Sequence, residues 1–126
     1  VPMYKPGKEQ ATRIEFRSPD PACNPYLAFA VMLAAGLKGV EKGYELPEPI
    51  EEDIFEMKEK AREEAGIRSL PGSLYEAIVA VSASELVRET LGDHIFEKFV
   101  ENKKLEWDRF RTHVSRYEID RYLPML

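Results

Sequence analysis

Cysteine and histidine are nearly absent from this chain. Cys23 is its one thiol, which excludes an internal disulfide framework and any zinc knuckle built on cysteines. His94 and His113 are too few and too dispersed to form a metal centre by themselves. Positive charge is in the minority, with 18 Lys+Arg against 23 Asp+Glu and a formal net charge of −5. That balance lacks the electrostatic footprint of a nucleic-acid binder, so no nucleic-acid partner is expected. A long hydrophobic run is also missing. The longest, residues 26–37 (YLAFAVMLAAGL), is closed by Lys38 and falls short of the roughly 20 residues a membrane span needs. Residues 1–10 (VPMYKPGKEQ) contain no apolar h-region, so no signal peptide is expected either. The expected setting is a soluble chain in the reducing cytoplasm, with no membrane partner.

Enough apolar sequence remains to build a core. Hydrophobic residues make up 44% and charged residues 33%, which separates the chain from disordered polymers. Its 126 residues suit one domain. It begins at Val1 rather than Met, and is expected to be either processed or a piece of something longer. Prolines and glycines divide it. Residues 1–12 read as irregular because of Pro2, Pro6 and Gly7. Residues 13–17 (RIEFR) alternate strictly, which predicts a half-buried strand with Ile14 and Phe16 facing the core. Pro19, Pro21 and Pro25 end it. Asn24-Pro25 predicts a helix over about 25–42: Asn caps, and Pro is tolerated where its missing N–H is not needed. Ala28, Ala30, Ala34, Ala35, Gly36 and Gly39 allow this helix to approach a neighbour closely, so it is expected to be buried.

A charged segment (EEDIFEMKEKAREEA) predicts a surface helix over about 51–65, supported by Glu56–Lys60 and Lys60–Glu64 pairs. Three S-x-x-E matches, Ser73–Glu76, Ser82–Glu85 and Ser115–Glu118, have the form of capping boxes. With Gly92 and Asp93 they predict helices over about 74–81 and 83–91 (together 74–91), 94–112 and 116–123. Phe96, Val100, Trp107, Phe110 and Val114 lie near one stripe of the long helix and read as core. Residues 117–126 are strongly apolar for a chain end. They must dock on their own domain or on another subunit, and periodicity leaves both open.

The chemistry-bearing stretch is the predicted strand. Residues at i, i+2 and i+4 share one face, so Arg13, Glu15 and Arg17 project together. One reading is a ladder of ion pairs on a solvated face, and spacing alone favours it. The other is a site for anions and a divalent cation, since Arg offers a planar fork to carboxylate or phosphate and Glu a hard oxygen to Mg²⁺ or Mn²⁺.

Residues 13–39 (RIEFRSPDPACNPYLAFAVMLAAGLKG) closely resemble type I glutamine synthetases, in which an R-x-E-x-R strand runs into a [ST]-x-D-P-A-x-N-P-Y-L turn and an alanine-rich helix. The likeness continues at residues 70–77 (LPGSLYEA), 91–94 (LGDH) and 104–107 (KLEW). The resemblance implies that residues 1–126 are the mainly helical carboxyl-terminal portion, with one or few strands, of an α+β catalytic domain. It implies an ATP-dependent glutamate–ammonia ligase acting through γ-glutamyl phosphate, with ATP as co-substrate and Mg²⁺ or Mn²⁺ as cofactor. Glu15 matches the metal ligand, Arg17 the arginine that holds glutamate, and Arg13 an arginine on the phosphate side. The remaining metal ligands and most nucleotide contacts would lie outside this sequence, so the chain alone is expected to be inactive. A homo-oligomeric dodecamer is implied, with residues 117–126 docking on another subunit.

Two positions depart from the family's pattern. Gln10 stands where some members have a lysine near the nucleotide, and Lys8 could replace it only by rearranging the loop. Phe55 stands where members regulated by adenylylation carry a tyrosine, so no adenylylation is expected there. Two rival readings remain open: a γ-glutamyl-amine (polyamine) ligase of the same family, and a non-catalytic helical interaction module.

Overall fold

The computed structural model describes residues 6–11, 13–50 and 52–125. Five α-helices follow a short 3₁₀ turn at Glu9–Ala11: α1 (Pro25–Lys42), α2 (Glu59–Glu64), α3 (Leu74–Ser82), α4 (Glu85–Arg111) and α5 (Arg116–Tyr122). A second 3₁₀ turn, Leu123–Met125, closes the described chain. The architecture is mainly helical, as expected, and the described residues contain no strand. Residue 51 of the predicted helix 51–65, residues 1–5 and 12 of the irregular start, and residue 126 of the apolar end lie outside the described residues.

Helix α1 forms where Asn24 and Pro25 predict it. The Asn24 side chain accepts hydrogen bonds from the backbone N–H groups of Tyr26 and Leu27, satisfying two of the helix's free donors. Its end is set by Gly43, whose φ of 61° and ψ of 45° are left-handed. The Gly43 N–H then reaches the Val40 carbonyl and the Tyr44 N–H the Gly39 carbonyl, the paired closure of a Schellman motif. Helix α2 is shorter than predicted. Residues 52–58 form turns, with the Phe55 N–H donating to the Asp53 carboxylate at 2.9 Å. The helix therefore begins after Glu56, so only the Lys60–Glu64 pair forms along it, at 3.8 Å.

The capping boxes are realised unequally. Ser115 and Glu118 make the full reciprocal box. Ser73 accepts from the Glu76 N–H, while the Glu76 carboxylate accepts from Gly72, one residue before the cap. The predicted Ser82–Glu85 box does not form: Ser82 ends α3, and Ser84 caps α4 through the Val87 N–H. The break predicted at Gly92 is present as a bend inside α4, where Gly92 takes φ 73° and ψ 154°. Essentially only glycine adopts that conformation.

Packing is thin. Ile78 of α3 and Phe96 and Val100 of α4 are buried together, with Leu74, Val81, Val87, Leu91, Phe99 and Trp107 against them. Each of the three buried side chains contributes about 1.5–3 kcal/mol. Helix α1 also runs against α4, where Lys38 lies 3.9 Å from Glu89. The predicted core stripe divides: Phe96 and Val100 are buried and Trp107 is half-buried, but Phe110 and Val114 are exposed. Helix α1 is not buried either. Tyr26, Phe29, Leu33, Leu37 and Val40 form an uncovered stripe along it. The accessible surface is 11708 Å², against about 6900 Å² for a compact protein of the same mass.

Candidate functional site around Glu15

Residues 13–18 carry no regular secondary structure. The predicted strand 13–17 does not pair, because a strand needs a neighbour and the described residues supply none. Ile14 and Phe16, expected to face the core, are 83% and 63% exposed. The charged half of the alternation does come together. Arg13 Nη2 pairs with Glu15 Oε1, and Arg17 Nη2 donates to Glu15 Oε2 at 2.5 Å. Each carboxylate oxygen thus faces a different guanidinium. The Arg17 hydrogen bond first, and then that of Arg13, hold the Glu15 carboxyl below its ordinary pKa. It is therefore anionic at neutral pH and chemically suited to a hard divalent cation.

The connection to α1 accounts for the D-P-A-C-N-P wording in the sequence. The Asp20 carboxylate accepts from the Ala22 N–H at 2.7 Å, and the Asp20 carbonyl accepts from the Cys23 N–H at 3.0 Å. Asn24 then caps α1. Asp20 and Asn24 together turn the chain from the charged segment into the helix, a role for Asp20 that the alternation pattern did not indicate.

Glu15 fits a divalent metal by donor type, though it is a single ligand. Among the described residues no group of three or more His, Cys, Asp or Glu is placed to hold a metal ion. Gln10 lies in the first 3₁₀ turn, and the neighbouring Lys8 is exposed. Phe55 is 94% exposed in the 52–58 turns. It is as accessible as a modification site would be, without the hydroxyl that adenylylation requires. A separate open groove of about 860 Å³ lies between α3 and α4, lined by Tyr75, Ile78, Val79, Ser82, Trp107 and Arg111 among others. Tyr75, Trp107 and Phe110 follow one another there at ring-centroid separations of 5.9 Å.

Residues 1–122 match the family described as "Glutamine synthetase, catalytic domain". The chain belongs to the glutamine synthetase family. It is 52% identical over 125 residues to a glutamine synthetase of Mycobacterium bovis, covering 99% of this chain and 28% of that relative. Glutamine synthetases of Methanococcus voltae and Thermotoga maritima are each 52% identical over 117 residues, 93% of this chain and 26% and 27% of theirs. The chain thus spans little more than a quarter of the length of these relatives. The family expected from the motifs is the family found. No helix among the described residues is long and apolar enough to cross a membrane.

Proposed function

We propose that this chain supplies one side of the active site of a cytoplasmic, ATP-dependent glutamate–ammonia ligase. The observation that carries the reading is Glu15, an ionised carboxylate held between Arg13 and Arg17, in a sequence that resembles the family's R-x-E-x-R motif and lies within the matched residues. In the proposed reaction the γ-carboxylate of glutamate attacks the γ-phosphorus of ATP, the bond to ADP breaks, and γ-glutamyl phosphate forms. Ammonia then attacks the acyl carbon, loses a proton and expels phosphate. Both steps concentrate negative charge on phosphate oxygens, so positioning and positive charge are the main demands on the protein.

Arg17 meets the first demand by binding the glutamate substrate through its planar fork, and Arg13 meets the second on the phosphate side. Glu15 serves as a ligand to Mg²⁺ or Mn²⁺, which when bound neutralises phosphate charge. Since no second carboxylate, histidine or cysteine among the described residues joins Glu15 in a group of three that could hold a cation, the other ligands come from elsewhere in the protein, and residues 1–126 alone are inactive. We further assign residues 117–126 to docking on another subunit of a homo-oligomer, a dodecamer at full length. In support, Tyr117, Tyr122, Leu123 and Met125 are exposed, and among the described elements α5 contacts the 3₁₀ turn that follows it and no other helix.

An acceptor comparison tests the reading. The protein at the full length of its relatives is given ATP, Mg²⁺ and glutamate with either ammonia or putrescine. Glutamine formation with phosphate release in the ammonia arm is expected. A preference for putrescine would move the assignment to a γ-glutamyl-amine ligase, and turnover with neither would leave a non-catalytic role.

A further inference from the structure

The bend in α4 is bridged by one side chain. Arg88 lies before Gly92, and its Nη1 is 2.6 Å from Asp93 Oδ1 and 3.6 Å from Glu97 Oε1, both beyond the bend. The same guanidinium lies over the ring of Phe96, 4.3 Å from its centroid, and Phe96 is a buried core residue. These partners are five, eight and nine residues on. On a straight α-helix, residue 97 would lie about 13.5 Å along the axis from residue 88 and half a turn around it, beyond the reach of a direct contact. The cluster therefore exists only because α4 is bent, and by closing it favours the bent form. Two residues before Gly92 the Thr90 hydroxyl donates to the Leu86 carbonyl at 2.6 Å, a back-bond of the kind that bends helices in the same region.

Val87 and Leu91, before the bend, pack against the core shared by α3 and α4, and a further contact from the same side of the bend reaches α1, where Glu89 faces Lys38. Phe96 and Val100, after the bend, pack with Ile78 of α3. Helix α1 is in turn the direct continuation of the turn that follows residues 13–17. We propose that Arg88 is a positioning residue: its clasp on Asp93, Phe96 and Glu97 fixes the bend at Gly92, and so sets α1 and the Arg13–Glu15–Arg17 segment against the α3–α4 core. Exposed ion pairs are individually weak. This one differs because a single guanidinium holds three partners: its Nη1 faces both carboxylates, and its plane lies over the buried Phe96 ring.

Hydrogen exchange followed by mass spectrometry on the full-length protein tests this independently of any activity. Arg88→Met keeps the apolar stem and removes the fork. Roughly threefold to tenfold faster exchange is expected in peptides spanning residues 86–97 and in the second half of α1, with α3 peptides unchanged. Arg88→Lys, which keeps the charge and loses the guanidinium plane over Phe96, is expected to fall between the two. Raising salt from about 0.05 to about 0.5 M should speed exchange across the bend in the parent protein and not in Arg88→Met. Unchanged exchange at 86–97 would overturn the proposal. So would an equal rise through α3, which would make Arg88 a general core contact, or an identical salt response in both proteins. The ligase assignment survives each of these outcomes.

Discussion

At the scale of single residues, the charged cluster can be recognised from spacing, but spacing does not determine what it does. Arg13, Glu15 and Arg17 meet as the alternation predicts, and this geometry serves a surface ion-pair ladder equally well. Family membership favours the proposed site, because residues 13–17 lie within the matched range and resemble the R-x-E-x-R wording of glutamine synthetases. Both Glu15 oxygens are engaged by arginine, so a cation reaches Glu15 only by sharing or displacing one of these partners. The role proposed for Arg17 is the more specific, since a lysine keeps its charge and loses the fork. Arg17→Lys in the full-length protein is expected to raise KM for glutamate about tenfold while kcat changes less. Steady-state kinetics with ATP saturating checks it, and an unchanged KM would remove Arg17 from the glutamate site.

At the scale of elements, helices were legible where a cap and a stop both act locally. Asn24 with Gly43, Ser73, Ser115 with Glu118, and Gly92 all mark real boundaries. Elements that depend on distant partners were not legible. The segment 13–17 has the period of a strand and no ladder, and 51–65 has the composition of a helix but only its second half folds as one. The misplaced cap is instructive as well, because S-x-x-E fits Ser82 while the backbone selects Ser84. Ser84→Ala is therefore expected to cost about 1 kcal/mol locally, read as roughly fivefold faster amide exchange in the first turn of α4. Ser82→Ala should stay within about 0.5 kcal/mol, and the reverse order would show that the cap is misassigned. Helix α5 carries a pH dependence. Glu118 accepts from the Ser115 N–H and hydroxyl, at 2.7 and 2.8 Å, and these bonds hold its pKa below the ordinary value, the N–H contributing most. With the folded pKa below an unfolded value of about 4.3, the cap's contribution is complete above that value and is lost as pH falls through the folded pKa. A carboxyl-carbon NMR titration should place the Glu118 midpoint under the unfolded value, and a midpoint at or above it would contradict the box.

At the scale of the whole molecule, the chain exposes 11708 Å², far above the roughly 6900 Å² of a compact protein of its mass. The apolar stripe of α1 and the side chains of α5 account for part of that excess, and both are surfaces that a larger assembly would cover. Composition alone suggested a self-sufficient domain, because it counts apolar residues without showing whether they can bury one another. Residues 1–126 on their own are expected to bind a hydrophobic dye strongly, to unfold without a sharp transition and to make no glutamine. A dye-silent chain with a cooperative melt would contradict this. The most direct test of the central claim, that Glu15 is a metal ligand in a ligase active site, is glutamine formation by the full-length protein across a Mn²⁺ titration, compared with Glu15→Gln. The substitution keeps the side chain's size and removes the charge. The account predicts a fall in kcat of about 100-fold or more with a higher Mn²⁺ requirement. Unchanged kcat and an unchanged Mn²⁺ midpoint would reduce Glu15 and its two arginines to a surface ion-pair ladder.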